Sequence, residues 1–115
     1  MATDCLFCKI AAGVIPAKTV YQDEEFFAFH DIAPQAPVHV LLIPRKHVPT
    51  LEDLTEEDSG LMGRLLLRAR QIARDLDVAQ TGYRVVVNCQ EGAGQSVFHI
   101  HFHVMGGRRM NWPPG

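Results

Sequence analysis

His99, His101 and His103 occupy every second position of the stretch "QSVFHIHFHVMGG", Gln95 to Gly107, with Ile100 and Phe102 between them. The whole chain has six histidines. In a strand, alternate side chains share a face, so three imidazoles would line one side. Phe98, Ile100, Phe102 and Val104 would line the other and pack against a helix. At a rise of about 3.3 Å per residue, adjacent histidines stand ~6.6 Å apart and the outer two ~13 Å. One metal ion cannot easily take all three from a regular strand, but a neighbouring pair can hold one with help from another segment. Three readings follow. A neutral imidazole can act as a nucleophile on an electrophilic centre, tuned by its neighbours. Two histidines can bind a catalytic metal. Or the row is an ordinary polar sheet face.

Gly92, Gly94, Gln95 and Ser96 precede the row. Glycines let backbone N–H groups converge on an anion, although a hairpin turn uses the same residues. No Walker loop and no clustered carboxylates for magnesium occur. The combination favours metal-free phosphoryl or nucleotidyl chemistry, resting on imidazole attack and positioned donors.

These groups need a scaffold, and 115 residues with 47% hydrophobic content suffice for one domain, residues 1–115. The formal net charge of -2 implies no broad basic face, so nucleic acid is not an expected partner. No apolar run approaches the ~18 residues of a membrane span. The N-terminal residues lack the pattern of a signal peptide. Three cysteines argue against a disulfide framework and for a reducing, cytoplasmic setting.

The elements read as follows. Lys9 to Ile15 forms a short helix, stopped by Gly13 and Pro16. Thr19–Tyr21 and Glu25–His30 are strands joined by the turn "QDEE". Asp31–Pro37 is a proline-broken loop, and Val38–Pro44 is a strand buried on both faces. Thr55 starts the long helix, with Asp58 as capping partner. Leu61, Leu65, Ile72 and Leu76 form its apolar stripe, widened by Leu66 and Ala69, and it ends near Val78. Tyr83–Asn88 and Val97–Met105 are the last strands, and residues 106–115 form an irregular tail. The fold class is α+β: a five-stranded antiparallel meander with one long helix and a short N-terminal helix.

The blocks "FHDIAPQAPVHVLLIPRKH", "GYRVVVN", "GQSVFHIHFHVMGG" and "WPPG" cover nearly the whole chain. They resemble the histidine triad (HIT) nucleotide-binding family, whose signature alternates histidines with apolar residues. The similarity is to its Hint branch, the purine nucleoside phosphoramidases. His103 departs from the uridylyltransferase branch, which has glutamine there, and the fragile histidine triad branch lacks the closing Trp-Pro-Pro-Gly. The resemblance implies hydrolysis of the P–N bond of an adenosine phosphoramidate through a histidine-bound AMP. His101 would attack phosphorus. His103 would contact the phosphate and favour departure of the amine. Ser96 would donate to the phosphate or leaving nitrogen, and His39 would support the proton relay. Asp31 would bind the ribose hydroxyls. Ile32, Phe7, Ile10 and Phe29 would wall the base, and Asn88, Gly94 and Gln95 would line the ribose and phosphate path. Taken alone, Asp31 could start a turn, Phe29 and Ile32 could be plain core, Asn88 a strand-end cap, and His39 a satisfied core histidine. Other readings are a dinucleoside polyphosphate hydrolase and a nucleotide-binding regulatory protein with incidental hydrolysis.

Bacterial relatives in the wider family that carry Cys-x-x-Cys at this N-terminal position tend to bind zinc. The matching ligands here would be Cys5, Cys8, His47 and His99, a set that suits a closed tetrahedral structural site. Two buried thiols or a redox pair are the alternatives for the cysteines; Cys89 has no evident role. No cofactor is implied for catalysis. The family also implies a homodimer with the two sheets joined edge to edge, which suits Trp112 in the tail. Arg109 and Asn111 stand where Hint proteins usually have glutamine and often histidine, which bears on amine preference.

Overall fold

A computed structural model describes residues 4–115; residues 1–3, counted in the single-domain reading, lie outside the described residues. The chain forms α1 (Leu6–Ala11), β1 (Thr19–Gln22), β2 (Phe26–His30), β3 (Val38–Pro44), α2 (Ser59–Asp75), β4 (Tyr83–Val87) and β5 (Phe102–Gly106). All pairings are antiparallel, in the order β1-β2-β3-β5-β4. The meander is carried by β1 to β3. The chain then leaves through α2, and β5 returns to fill the slot between β3 and β4. Among the described residues no helix is long and apolar enough to cross a membrane.

The period-two pattern of β2 and β3 feeds two cores. Phe26, Ala28, Val40 and Leu42 join Leu65, Ala69, Ile72 and Ala73 of α2. Phe27, Phe29, Leu41 and Ile43 join Phe7 and Ile10 of α1. That is why β3 is buried on both faces. Leu66, expected on the helix stripe, is instead 53% exposed. It lies about 100° around the axis from Leu65, and the buried row runs through Ala69, Ile72 and Ala73.

Several boundaries differ from the sequence reading. α1 starts three residues early, because Cys5 Sγ accepts the Cys8 N–H at 3.4 Å and caps it. Thr55 opens a short 3-10 turn, Glu56–Asp58, that leads into α2. Its N–H donates to Asp58 Oδ2 at 2.9 Å, so the expected capping pair exists one turn earlier. The "QDEE" turn is closed by Asp23 Oδ1, which accepts the N–H of Glu25 and of Phe26 at 2.8 Å each. At Gly106 a Cβ would stand 2.8 Å from the Val78 side chain, so only glycine lets β5 approach the segment after α2.

The largest correction concerns β5. It begins at Phe102, not Val97, so His99 and His101 precede the ladder. Leu42 pairs with Phe102, so Ile100 would face Pro44, which has no N–H to give. The Ile100 N–H donates to Val48 O at 2.7 Å instead. Phe98, expected to face α2, is 44% exposed, whereas Ile100, Phe102 and Val104 are core as expected.

Ile72 is 1% exposed at the centre of the α2-side core. Ile72→Ala is expected to cost about 2–5 kcal/mol and Ile72→Val about 0.5–1.5 kcal/mol in urea unfolding. Equal, near-zero losses for both would show that this position is not packed as described.

Candidate functional site

The segment that leads into β5, and β5 itself, place three histidines in three different environments. His101 is 7% exposed. Its Nδ1 lies 2.8 Å from His99 O. A carbonyl can only accept, so Nδ1 carries the proton and Nε2 keeps its lone pair. Burial pushes the His101 basicity down, against the opposing pull of the His99 carbonyl and the Asp31 charge. The ring is also held edge to face by Phe7, with centroids 5.0 Å apart.

His39 and His103 form a second, directional pair. The Gln35 N–H donates to His39 Nδ1 at 3.0 Å. The proton of neutral His39 must then sit on Nε2, which is 2.9 Å from His103 Nδ1 and 3.4 Å from Asp31 Oδ2. His103 Nδ1 therefore accepts, and its own proton sits on Nε2. Burial lowers the His103 pKa to about 4, helped by His101 and His39 and opposed by Asp31. Burial also lowers that of His39, again against Asp31. The outcome is a neutral base with a free lone pair on His101 beside a neutral N–H donor on His103, their rings 5.2 Å apart.

The remaining sequence-predicted residues fall into groups. Asp31, Ile32 and His39 line an open groove of about 810 Å³, together with Lys18, His30 and Pro34. Ile32 stands at 99% exposure, as a rim and not as core. Asp31 also accepts the Ala33 N–H at 2.8 Å, so it both makes a turn and faces His39. Phe7, Ile10 and Phe29 lie in the α1-side core, with Phe7 touching His101. Asn88 is half-buried just past β4, and Ser96 is exposed. Gly94 closes the 3-10 turn Glu91–Ala93 with φ of 95°, a conformation that favours glycine. Gln95 is a brace: its amide bonds Gln90 N–H, Pro49 O and Val97 O. Sequence reasoning missed Gln35, Lys18 and His30. Gln35 acts through its main chain, which leaves no side-chain signature.

Cys5, Cys8, His47 and His99 bring one ligand atom each to within 4.8 Å of the others. His99 Nδ1 lies 3.4 Å from Cys5 Sγ, 3.5 Å from Cys8 Sγ and 3.3 Å from His47 Nδ1. Cys8 Sγ is 3.4 Å from His47 Nδ1. The His99 Nε2–H donates to Pro44 O at 2.7 Å, which leaves Nδ1 a bare lone pair aimed at the cluster. A single lone pair cannot serve three neighbours, whereas a cation at the centre would satisfy all four ligands. Burial, and then Cys5, pushes the Cys8 thiol up to about 11, so a metal would have to displace its proton. Asp31, His39 and His103 also converge. There the Gln35 N–H occupies His39 Nδ1 and keeps a proton on Nε2, so this second cluster is a hydrogen-bond relay.

Comparison with known proteins identifies the fold and the family. The HIT domain family model matches residues 12–110. A HIT family hydrolase from Legionella pneumophila Philadelphia 1 is 51% identical, with a TM-score of 0.95, covering 96% of this chain and 99% of that one. A histidine triad protein from Clostridium difficile is 38% identical, with a TM-score of 0.92 and 95% of each chain covered. An uncharacterized HIT-like protein of Synechocystis sp. is 50% identical over 115 residues, 100% of both chains. The chain belongs to the HIT family.

Proposed function

We propose that this protein is a hydrolase of purine nucleoside 5'-phosphoramidates, working through a covalent His101–AMP intermediate. The observation that carries this reading is the His101 Nε2 lone pair, set by the Nδ1–H bond to His99 O at 2.8 Å. Nε2 attacks the α-phosphorus, the P–N bond breaks, and the leaving nitrogen takes a proton drawn from water, whose hydroxide serves the second step. Water then cleaves the phosphorus–imidazole bond and releases AMP. His103 Nε2–H meets the phosphate or leaving nitrogen, and the His39 Nε2–H bond holds it in that donor form. Asp31 takes the ribose hydroxyls in the groove it lines with Ile32. Ser96, which is exposed, would supply a hydroxyl donor. In this reading the Gly94 backbone and the loop that Gln95 braces would border the phosphate, and Asn88 the ribose. Phe7, Ile10 and Phe29 back the base from the α1-side core.

The metal in this reading is a structural zinc. Zinc–nitrogen bonds of about 2.05 Å and zinc–sulfur bonds of about 2.3 Å give tetrahedral edges of about 3.4 Å between nitrogens and about 3.6 Å between sulfur and nitrogen. The observed edges are 3.3 Å and 3.4–3.5 Å. A homodimer through the outer edge of β4, the terminal strand of the sheet, fits this reading. Three free cysteines suit a cytoplasmic setting.

Three outcomes test the proposal. His101→Ala should keep AMP affinity within about threefold while turnover falls by at least about 1,000-fold. The protein–AMP adduct should vanish from the mass spectrum, and an adduct surviving on another residue would refute the assignment. Protein purified without chelator should carry about one zinc per chain; metal-free protein of unchanged thermal stability would remove the zinc.

The third concerns pH. His103 stays neutral in the fold down to about pH 4, while an unfolded histidine takes a proton near ~6.5. Its stabilising share is complete above ~6.5 and is lost as pH falls towards 4. Urea midpoints should therefore drop between pH 7.5 and pH 5, and drop less in His103→Asn. Equal slopes for the two proteins would contradict a buried neutral His103.

A further inference from the structure

His99 makes three separate bonds, and they point in three directions. Its Nδ1 faces Cys5, Cys8 and His47. Its Nε2–H is donated to Pro44 O, the last residue of β3, at 2.7 Å. Its carbonyl accepts the His101 Nδ1–H at 2.8 Å. The side chain and carbonyl of one fully buried residue thus tie the cysteine cluster, the sheet and the reactive imidazole together.

A second route runs in parallel. Cys5 caps α1 and Cys8 lies within it, and Phe7 sits between them. The Phe7 ring meets His101 at 5.0 Å, His99 at 6.1 Å and Phe29 at 5.4 Å, each edge to face. Any shift of the two thiols therefore moves an aromatic wall of the nucleophile. α1 has six residues, too few to hold its place by helix propensity. Its position depends on the cysteine cluster and on Phe7 and Ile10.

We propose that His99 is a positioning residue through which occupancy of the Cys5–Cys8–His47–His99 cluster sets the tautomer and aim of the His101 ring. This rests on the zinc reading above. A metal on Nδ1 fixes the His99 ring, and the Pro44 bond fixes its other end. The carbonyl then points where only a protonated Nδ1 of His101 can meet it, which leaves Nε2 bare. Without the metal, three lone-pair and thiol contacts converge on one nitrogen with no cation to satisfy them. The segment 97–101 is then held by the Ile100 N–H bond to Val48 O, the Gln95 bond to Val97 O and the His99 bond to Pro44 O alone, with no β5 ladder to fix the carbonyl of His99. The His101 ring gains access to both tautomers, and only one has its lone pair on Nε2. Misplacement of this size is expressed in the rate and not in ground-state binding.

The experiment compares zinc-loaded and chelator-treated protein by long-range proton–nitrogen NMR of the histidine side chains, with no substrate present. Loaded protein should show His101 as a single Nδ1–H tautomer. Metal-free protein should show mixed tautomers, with adduct formation slowed about tenfold or more and AMP affinity within about threefold. An unchanged tautomer and rate after metal removal would overturn the inference. Where chelation unfolds the chain, cobalt-loaded protein takes its place. Its visible absorption bands should shift when AMP fills the groove, and bands that stay fixed through saturation would overturn the coupling. Chain that takes up no metal at all defeats the zinc reading, and this inference with it. Chain that binds zinc and shows the tautomer switch without cleaving phosphoramidates upholds the coupling and defeats only the substrate assignment.

Discussion

The hydrogen bond from His101 Nδ1 to the carbonyl of His99 is the contact on which the site depends. It decides which ring nitrogen is free, and so whether the central histidine can serve as the proposed nucleophile. The bond can form because the backbone leaves the sheet between Val97 and His101. In a regular strand, the His101 side chain would project from the face and its own neighbour's carbonyl would be committed to the ladder. Pro44 makes the departure possible, since it offers no N–H to residue 100 and uses its carbonyl to hold His99. One imino acid at the end of β3 therefore serves both the break in β5 and the orientation of His99.

A second chain of bonds has its own polarity. From Gln35 N–H to His39 to His103, each link has one donor and one acceptor, so the protonation pattern follows once the first is known. The loop 31–37 supplies that first donor, and Asp31 at its start supplies the charge facing His39. Burial keeps His39, His101 and His103 weakly basic. Neutral rings are what the proposed chemistry needs: one lone pair to attack, and one N–H to donate. The two histidine clusters thus divide by tautomer. In the cysteine cluster a lone pair faces inward and calls for a cation. In the other, a proton faces inward and binds a neighbour.

Much of this was legible in the sequence, for physical reasons that differ by element. β2 and β3 were readable because their alternate residues feed two cores, which leaves continuous apolar runs. The middle of α2 was readable from its helical spacing, while Leu66 was not, since one residue of rotation separates core from solvent. α1 was displaced in the reading because a thiol capped it, and cysteine is not among the usual caps. The histidines were evident from their alternation, and the Phe7 ring meets both His99 and His101 on the α1 side, although only His103 lies within a paired strand. The residues that break the pattern, Pro44 and Ile100, face one another only once the β3–β5 register is known. Gln35 was invisible for a different reason, because a main-chain N–H can come from almost any residue type. Asp31 and Asn88, and the roles given to Gln95 and Ser96, came from resemblance to a family, and their environments here range from groove wall to loop brace.

The fold supplies a sheet from which the segment 97–101 departs, and the proposed chemistry lies at that departure. The most direct test is a crystal structure with AMP in the groove. His101 Nε2 is expected within about 3.5 Å of phosphorus and in line with the position of the leaving group. A nucleotide phosphate facing His101 Nδ1, or bound away from that ring, would contradict the central claim.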